Sequence, residues 1–105
     1  MNSGDIEVQD VTLSLRTNLY KIYQEFNANL LIVKLQIANV LVARENVDIA
    51  FEKYKLGSIN DIELREIQQK LIVAEYQLIL SQFESKKAEV EMVRLTGDLL
   101  KYQGF

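Results

Sequence analysis

Hydrophobic residues recur at steps of three and four positions along nearly the whole chain, the pattern of helices that bury one face. It is interrupted around Gly57, so the sequence predicts two long antiparallel helices with a very tight turn, an all-α coiled-coil hairpin. The predicted segments are a lead-in at 1–9 (a strand end or a frayed helix start), helix 1 at 10–56, the turn at 57–58, helix 2 at 59–101 and a tail at 102–105.

The two predicted helices differ in how regular their apolar seams are. Helix 2 alternates steps of three and four without a break, which is typical of a coiled coil. In helix 1, two consecutive four-residue steps at Ile22, Phe26 and Leu30 predict a stutter, and Arg44 is a polar intruder. The predicted seams are Leu15, Leu19, Ile22, Phe26, Leu30, Val33, Ile37, Val40, Val47, Phe51 and Tyr54 in helix 1, and Leu64, Ile67, Leu71, Ala74, Leu78, Ser81, Ser85, Ala88, Met92, Leu95 and Leu99 in helix 2.

A second apolar stripe accompanies each seam. A lone hairpin needs one seam per helix, so the second stripe is either the flank of one wide apolar face or a surface for further helices. We favour the second interpretation and expect the chain to associate. The stripes are Leu31, Leu35, Ala38, Val42 and Ile49 in helix 1, and Tyr76, Leu80, Phe83 and Val90 in helix 2.

The turn has its own chemical signature. Gly57 is expected to take the left-handed conformation that ends a helix, since a side chain disfavours it. Ser58 is expected to cap the first amides of helix 2. Asp61 stands where a capping-box acid would, although that motif prefers Glu or Gln.

Composition argues against catalysis and nucleic-acid binding. With neither histidine nor cysteine, the chain lacks the commonest general base and metal ligand and has no thiolate. We therefore expect no enzyme activity, no catalytic residue, no metal and no cofactor. The formal net charge of -3 offers no basic surface for nucleic acid. No signal peptide is expected, and the apolar run 30–43, broken by Lys34, Gln36 and Asn39, is expected not to cross a membrane unaided.

Two segments carry a resemblance to a known family. Residues 50–69, AFEKYKLGSINDIELREIQQ, are similar to its pattern of Ala, then Tyr-x-x-Gly-Ser/Thr, then a helix bearing Gln. Residues 93–100, VRLTGDLL, are similar to its closing Leu-x-Gly-x-Leu. From Ile6 to Leu100 the chain resembles the C-terminal helical repeat of TolC-like outer-membrane efflux proteins.

That resemblance implies a passive export channel. Family members are homotrimers with two such repeats per protomer, which build a periplasmic tunnel under an outer-membrane β-barrel. This chain would be one repeat of that α-barrel, a fragment lying in the periplasm, with the membrane contacted through barrel strands that it lacks. Its tip would dock a periplasmic adaptor protein, which joins the duct to an inner-membrane pump. The tip residues implied are Tyr54, Lys55, Leu56, Gly57, Ser58 and Ile59.

The resemblance also implies a channel constriction. Some family members carry acids six and nine residues after the tip glycine, and Glu63 and Glu66 stand there, as Glu where the family has Asp. Two solvated glutamates favoured by the helix dipole are an equally good interpretation. An interaction hairpin such as the adaptor itself is the alternative function. A catalytic cytosolic bundle finds no nucleophile–base pair to support it.

Overall fold

The computed structural model shows two helices joined by a short turn. It describes the backbone of residues 3–102 and the side chains of 7–101. Helix α1 spans Ser3–Lys55 (53 residues) and helix α2 spans Asp61–Tyr102 (42 residues). The predicted all-α coiled-coil hairpin is confirmed.

The helix ends differ from the predicted ones by a few residues. Residues 3–9, for which a strand end and a helix start were both open, belong to α1. The turn occupies 56–60 instead of 57–58, and α2 begins two residues later than expected. At the other end α2 reaches Tyr102, while residues 1–2 and 103–105 lie outside the described residues.

The chain divides into two compact units, each containing a segment of both helices. Unit 1 is made of Met1–Asn29 and Glu84–Phe105, of which 3–29 and 84–102 are described. Unit 2 is Leu30–Phe83 and contains the turn. Within each unit the α1 and α2 segments pack antiparallel.

The seam of α2 has the predicted residues in both units. In unit 2, Leu64 and Ser81 are buried and the seam residues between them are half-buried. In unit 1, Ser85, Ala88 and Leu95 are buried, and Met92 and Leu99 are half-buried. All eleven predicted positions therefore face α1.

The seam of α1 is a correction to the sequence prediction. Instead of a stutter, the least exposed residues keep alternating three- and four-residue steps throughout. Leu30, Ile37, Phe51 and Tyr54, predicted to be in the seam, are exposed. The observed seam consists of Thr12, Leu15, Leu19, Ile22, Phe26 and Asn29 in unit 1, and of Val33, Gln36, Val40, Ala43, Val47 and Ala50 in unit 2.

Size explains why smaller or more polar residues replace larger apolar ones in the α1 seam. Val40 and Ala50 are each only 3% exposed, because short side chains let the two backbones approach closely. The larger Ile37 and Phe51 each follow a seam residue directly and lie at the edge of the seam, where they are partly exposed. Arg44, also outside the seam, reaches Glu75 of α2 with its Nη2 atom 3.7 Å from Oε1. Both side chains are largely solvated, so this pair contributes little to stability.

The turn ends α1 with a Schellman motif. Gly57 has a φ of 76°, the left-handed conformation predicted for it. Its N–H donates to the carbonyl of Tyr54 (3.0 Å), and the N–H of Ser58 donates to the carbonyl of Lys53 (2.8 Å). These two bonds satisfy carbonyls that the end of a helix leaves unpaired.

The cap of α2 is Asn60, not the predicted Ser58. The Asn60 side-chain oxygen accepts a hydrogen bond from the N–H of Glu63 (2.8 Å), and its carbonyl accepts one from Leu64 (3.1 Å). Ser58 instead closes the end of α1, since its N–H donates to the carbonyl of Lys53. Asp61 is therefore the first helical residue, and the Asn-x-x-Glu spacing replaces the expected Ser-x-x-Asp.

Candidate functional site

The six predicted tip residues lie together at the closed end of unit 2. Tyr54 and Lys55 form the last turn of α1, and the other four belong to the turn. Leu56 is 81% exposed, an unusual position for an apolar side chain, whereas Ile59 is half-buried. Lys55 packs back on its own helix, with its Nζ 5.0 Å from the centre of the Phe51 ring. Leu56 is thus the apolar group that the tip offers to a partner.

A tyrosine and an aspartate on the two sides of the turn interact electrostatically. The carboxylate of Asp61 raises the pKa of Tyr54, first as an acceptor for the phenol hydrogen bond and second through its negative charge. The cation of Arg65 opposes this weakly. Because the protonated phenol is the form that bonds to the carboxylate, this pair favours the closed turn below the pKa of the tyrosine.

The two candidate constriction glutamates are exposed and accompanied by lysines. Glu63 lines a cleft of about 370 Å³ on one flank of unit 2, together with Lys53 and Lys70. Glu66 lines a neighbouring cleft that also contains Lys70. A ring built from this flank would therefore carry both charges, and the proposed cation constriction stays a prediction. Among the described residues, no group of three acidic, His or Cys side chains is placed to hold a metal.

The far side of α2 carries an exposed apolar stripe in unit 2. This outer stripe of α2 is Ile72, Tyr76, Ile79 and Phe83, each more than 60% exposed. It repeats with alternating four- and three-residue steps, as the seam does, on the opposite face. The sequence prediction had included two of these residues, and the same periodicity would have identified Ile72 and Ile79.

Unit 2 has a matching surface on α1. The outer stripe of α1 is Leu31, Leu35, Ala38 and Val42, all exposed as predicted. A stripe of this kind on each helix leaves unit 2 with two large apolar surfaces pointing in opposite directions. Soluble monomers rarely expose so much contiguous apolar surface.

Unit 1 contains a groove that sequence reasoning missed. It measures about 540 Å³, and its walls are almost wholly apolar. Residues of both helices contribute, and two of them, Leu19 and Met92, belong to the predicted seams. The groove is lined by Arg16, Leu19, Tyr20, Tyr23, Met92, Val93 and Thr96.

One described helix satisfies the length and composition of a membrane span. Within Glu7–Lys55, an 18-residue window has a mean hydropathy of 1.5 and is 6% buried. These two properties do not distinguish a membrane helix from one that packs on other protein helices. The expectation that the chain does not cross a membrane unaided stays a prediction.

Comparisons with models of protein families, with curated proteins and with solved structures each found no match to this chain. The resemblance to TolC-like efflux proteins, and the roles it implies for the tip and for Glu63 and Glu66, therefore remain predictions. What the structure adds is the geometry of the turn and the position of the outer stripes.

Proposed function

We propose that this hairpin is part of the wall of an export duct of the TolC-like type. Several hairpins would stand side by side around a water-filled tunnel for small molecules or polypeptides. In that family they come from the protomers of a trimer. Passage through it is passive and uses no catalytic residue or cofactor. The proposal places the hairpin in the periplasm, as part of a channel of the outer membrane.

The observation that carries the proposal is the two-sided character of α2 in unit 2. Polar residues separate its seam from its outer stripe on both sides: Gln68, Glu75 and Gln82 on one, Lys70 and Gln77 on the other. A single wide apolar face would have apolar residues at these positions. Helix α2 therefore has two distinct packing faces, as a helix in the wall of a tubular bundle requires.

Energetics favour covering the outer stripes. Burying a large apolar side chain contributes about 1.5–3 kcal/mol. The seven large side chains of the two outer stripes would together contribute on the order of 10 kcal/mol, against which the cost of association must be set. The free energy gained by burying the stripes therefore favours association of hairpins when the surface that covers the stripes is itself apolar.

In this proposal the tip of the hairpin is the surface that binds a partner protein. Leu56 projects from a turn whose backbone is fixed by the Schellman motif, so the apolar contact is presented in a defined place. In the proposed role it docks against the helical hairpin of a periplasmic adaptor, which links the duct to an inner-membrane pump. Lys55, Gly57 and Ser58 surround it and would set the fit.

A photo-crosslinking amino acid at position 56 in the native cells tests this function. The expected product joins the chain to an adaptor, recognised by mass spectrometry as a hairpin protein with a lipoyl-like β domain. The same label at Ser14, an exposed site in unit 1, is the matched control and should give no such product.

Two results would contradict the duct proposal. A crosslink from position 56 to the tip of an outer-membrane duct would mean that the chain is itself the adaptor-type hairpin. Unchanged retention of a fluorescent efflux dye after deletion of the gene would separate the chain from export altogether.

A further inference from the structure

The two flanks of unit 1 differ in chemistry at the same level of the helix pair. On one flank, a cleft is lined by Lys21, Glu25, Glu91 and Arg94, and Arg94 donates hydrogen bonds to Glu91. The other flank carries the apolar groove, and Arg16 is the charged residue in its lining. The solvated side of a helix normally carries charged and polar residues, as the first flank does. The groove flank departs from that pattern.

The groove has a floor and two walls. Its floor is formed by Leu19 and Met92, two seam residues that are half-buried. Tyr20 (65% exposed) and Tyr23 (51%) stand on the α1 side of this floor, and Val93 (64%) stands on the α2 side. The volume of about 540 Å³ is typical of a small-molecule pocket, which is lined mainly by apolar and aromatic side chains and by a few polar groups.

Polar residues end the groove on the side that leads toward the turn. On α1, the exposed Asn27 follows Tyr23 by one helical turn. On α2, Glu89 precedes Val93 by one helical turn, and its Oε2 lies 3.4 Å from Nζ of Lys86. The apolar surface of this flank is therefore interrupted on both helices at that end.

The length of the groove limits what can occupy it. From Arg16 to Tyr23 the α1 wall extends about 10.5 Å, at about 1.5 Å per residue. A partner helix that packs by an apolar stripe needs a longer continuous surface, and a long acyl chain would extend past the polar residues at the end. A short, compact molecule fits the groove better than either.

The lining also indicates the chemistry of that molecule. The tyrosine rings offer faces for stacking an aromatic group, and the thioether of Met92 contacts aromatic rings favourably. The hydroxyl of Thr96 donates to the carbonyl of Met92 (2.8 Å) within its own helix. Among the side chains of residues 7–101, Arg16 forms no salt bridge. Its planar guanidinium can bind a carboxylate or a sulfonate through two parallel hydrogen bonds.

We propose that this groove binds a small aromatic molecule that carries a single acid group. Its rings lie over the floor, between the tyrosines of α1 and Val93 of α2, and its acid group pairs with Arg16. The site uses none of the residues of the tip or of the outer stripes. It does not depend on the duct proposal and adds a ligand that the duct role does not require.

Two fluorescent probes with the same aromatic body test the role of charge. Anilinonaphthalene sulfonate carries a negative charge, and phenylnaphthylamine does not. In titrations of the purified full chain, Arg16→Gln should weaken binding of the sulfonate about two- to fivefold, as expected for one exposed ion pair, and should leave binding of the uncharged probe unchanged. Lys21→Gln, which removes a cation from the charged flank at the same level, is the matched control and should change neither.

A second pair of variants distinguishes the groove from the other apolar surfaces of the chain. Tyr20→Ala removes part of a wall and should weaken binding of both probes about two- to tenfold, as expected for one aromatic contact. The same change at Tyr76, which is 61% exposed in the outer stripe of α2, should leave both dissociation constants unchanged. All four substituted side chains are exposed, so we expect the variants to fold.

Three results would overturn the site. The first is an equal effect of Arg16→Gln and Lys21→Gln on the sulfonate, and the second is an equal effect of Tyr20→Ala and Tyr76→Ala on both probes. The third is a lower mass of the Tyr20→Ala variant in light scattering while neither probe responds to Arg16→Gln. In that case another protein chain, and not a small molecule, covers the groove.

Discussion

Replacing Gly57 with Ala isolates the cost of the left-handed turn. Gly57 has a φ of 76°, and a Cβ added to it meets no atom within 4 Å. The penalty is therefore conformational, not steric, and should be about 1–2 kcal/mol of unfolding free energy. That is roughly a five- to thirtyfold change in the unfolding equilibrium.

The chain supplies a matched control in Gly97. This residue lies inside α2, and its added Cβ also meets nothing within 4 Å. Because glycine weakens a helix interior, Gly97→Ala should stabilise the chain by about 0.5–1 kcal/mol. The same chemical change is thus predicted to have opposite signs at the two glycines.

Urea unfolding followed by far-UV circular dichroism measures both variants, at one fixed protein concentration. The expected midpoints fall below the wild type for Gly57→Ala and above it for Gly97→Ala. Gly57→Asn should fall between Gly57→Ala and the wild type, since Asn tolerates the left-handed region better. Equal midpoints for the two Ala variants would refute the reasoning about the turn.

Three further outcomes follow from the cap, the turn and the seam. Asn60→Ala should lose about 1 kcal/mol of unfolding free energy and Ser58→Ala almost none, and equal losses in urea titrations would contradict the cap. Asp61→Asn should lower the pKa of Tyr54 toward its ordinary 10.0, seen by ultraviolet titration against Tyr54→Phe. Since the folded-state pKa is raised, the stability that this pair contributes is present below pH 10.0 and is lost as the pH rises through the raised value. Val40→Ala, at a site only 3% exposed, should cost about 2 kcal/mol by thermal or urea unfolding, and a neutral result would argue against the observed seam.

Regular periodicity made most of the fold predictable. The α2 seam was identified at every position because its apolar and small residues never leave the heptad pattern. The α1 seam was misjudged because Leu30 and Ile37 are larger and more apolar than their neighbours Asn29 and Gln36. In the packed hairpin, the regular heptad spacing decides which residues of α1 face α2. A more hydrophobic residue next to a seam position therefore stays outside the seam.

The turn was predictable in its first half and not in its second. A lone glycine in a chain without proline identified the end of α1, and its left-handed conformation followed. The cap of α2 was placed at Ser58 because a serine directly after the glycine fits the common pattern. In the structure Ser58 instead takes part in the Schellman motif, and the side chain of Asn60 caps α2. That is a consequence of backbone geometry that a residue pattern does not contain.

The candidate site shows a similar division. Exposure of Leu56 and of the outer stripes could be read from the sequence, because a hairpin covers one face per helix. The lysines beside Glu63 and Glu66 come from α1 and from a later turn of α2, so their proximity depends on the antiparallel register. Which protein covers Leu56 depends on a partner, and no residue pattern within the chain encodes its identity.

The central proposal is that the outer apolar stripes of unit 2 are covered by neighbouring hairpins. Size-exclusion chromatography with light scattering measures this directly on the purified protein. The account predicts a mass that is a multiple of 12.1 kDa and that falls when Leu35 and Ile79 are both replaced by Glu. A single species of 12.1 kDa at every concentration, for the wild type as for the variant, would contradict it.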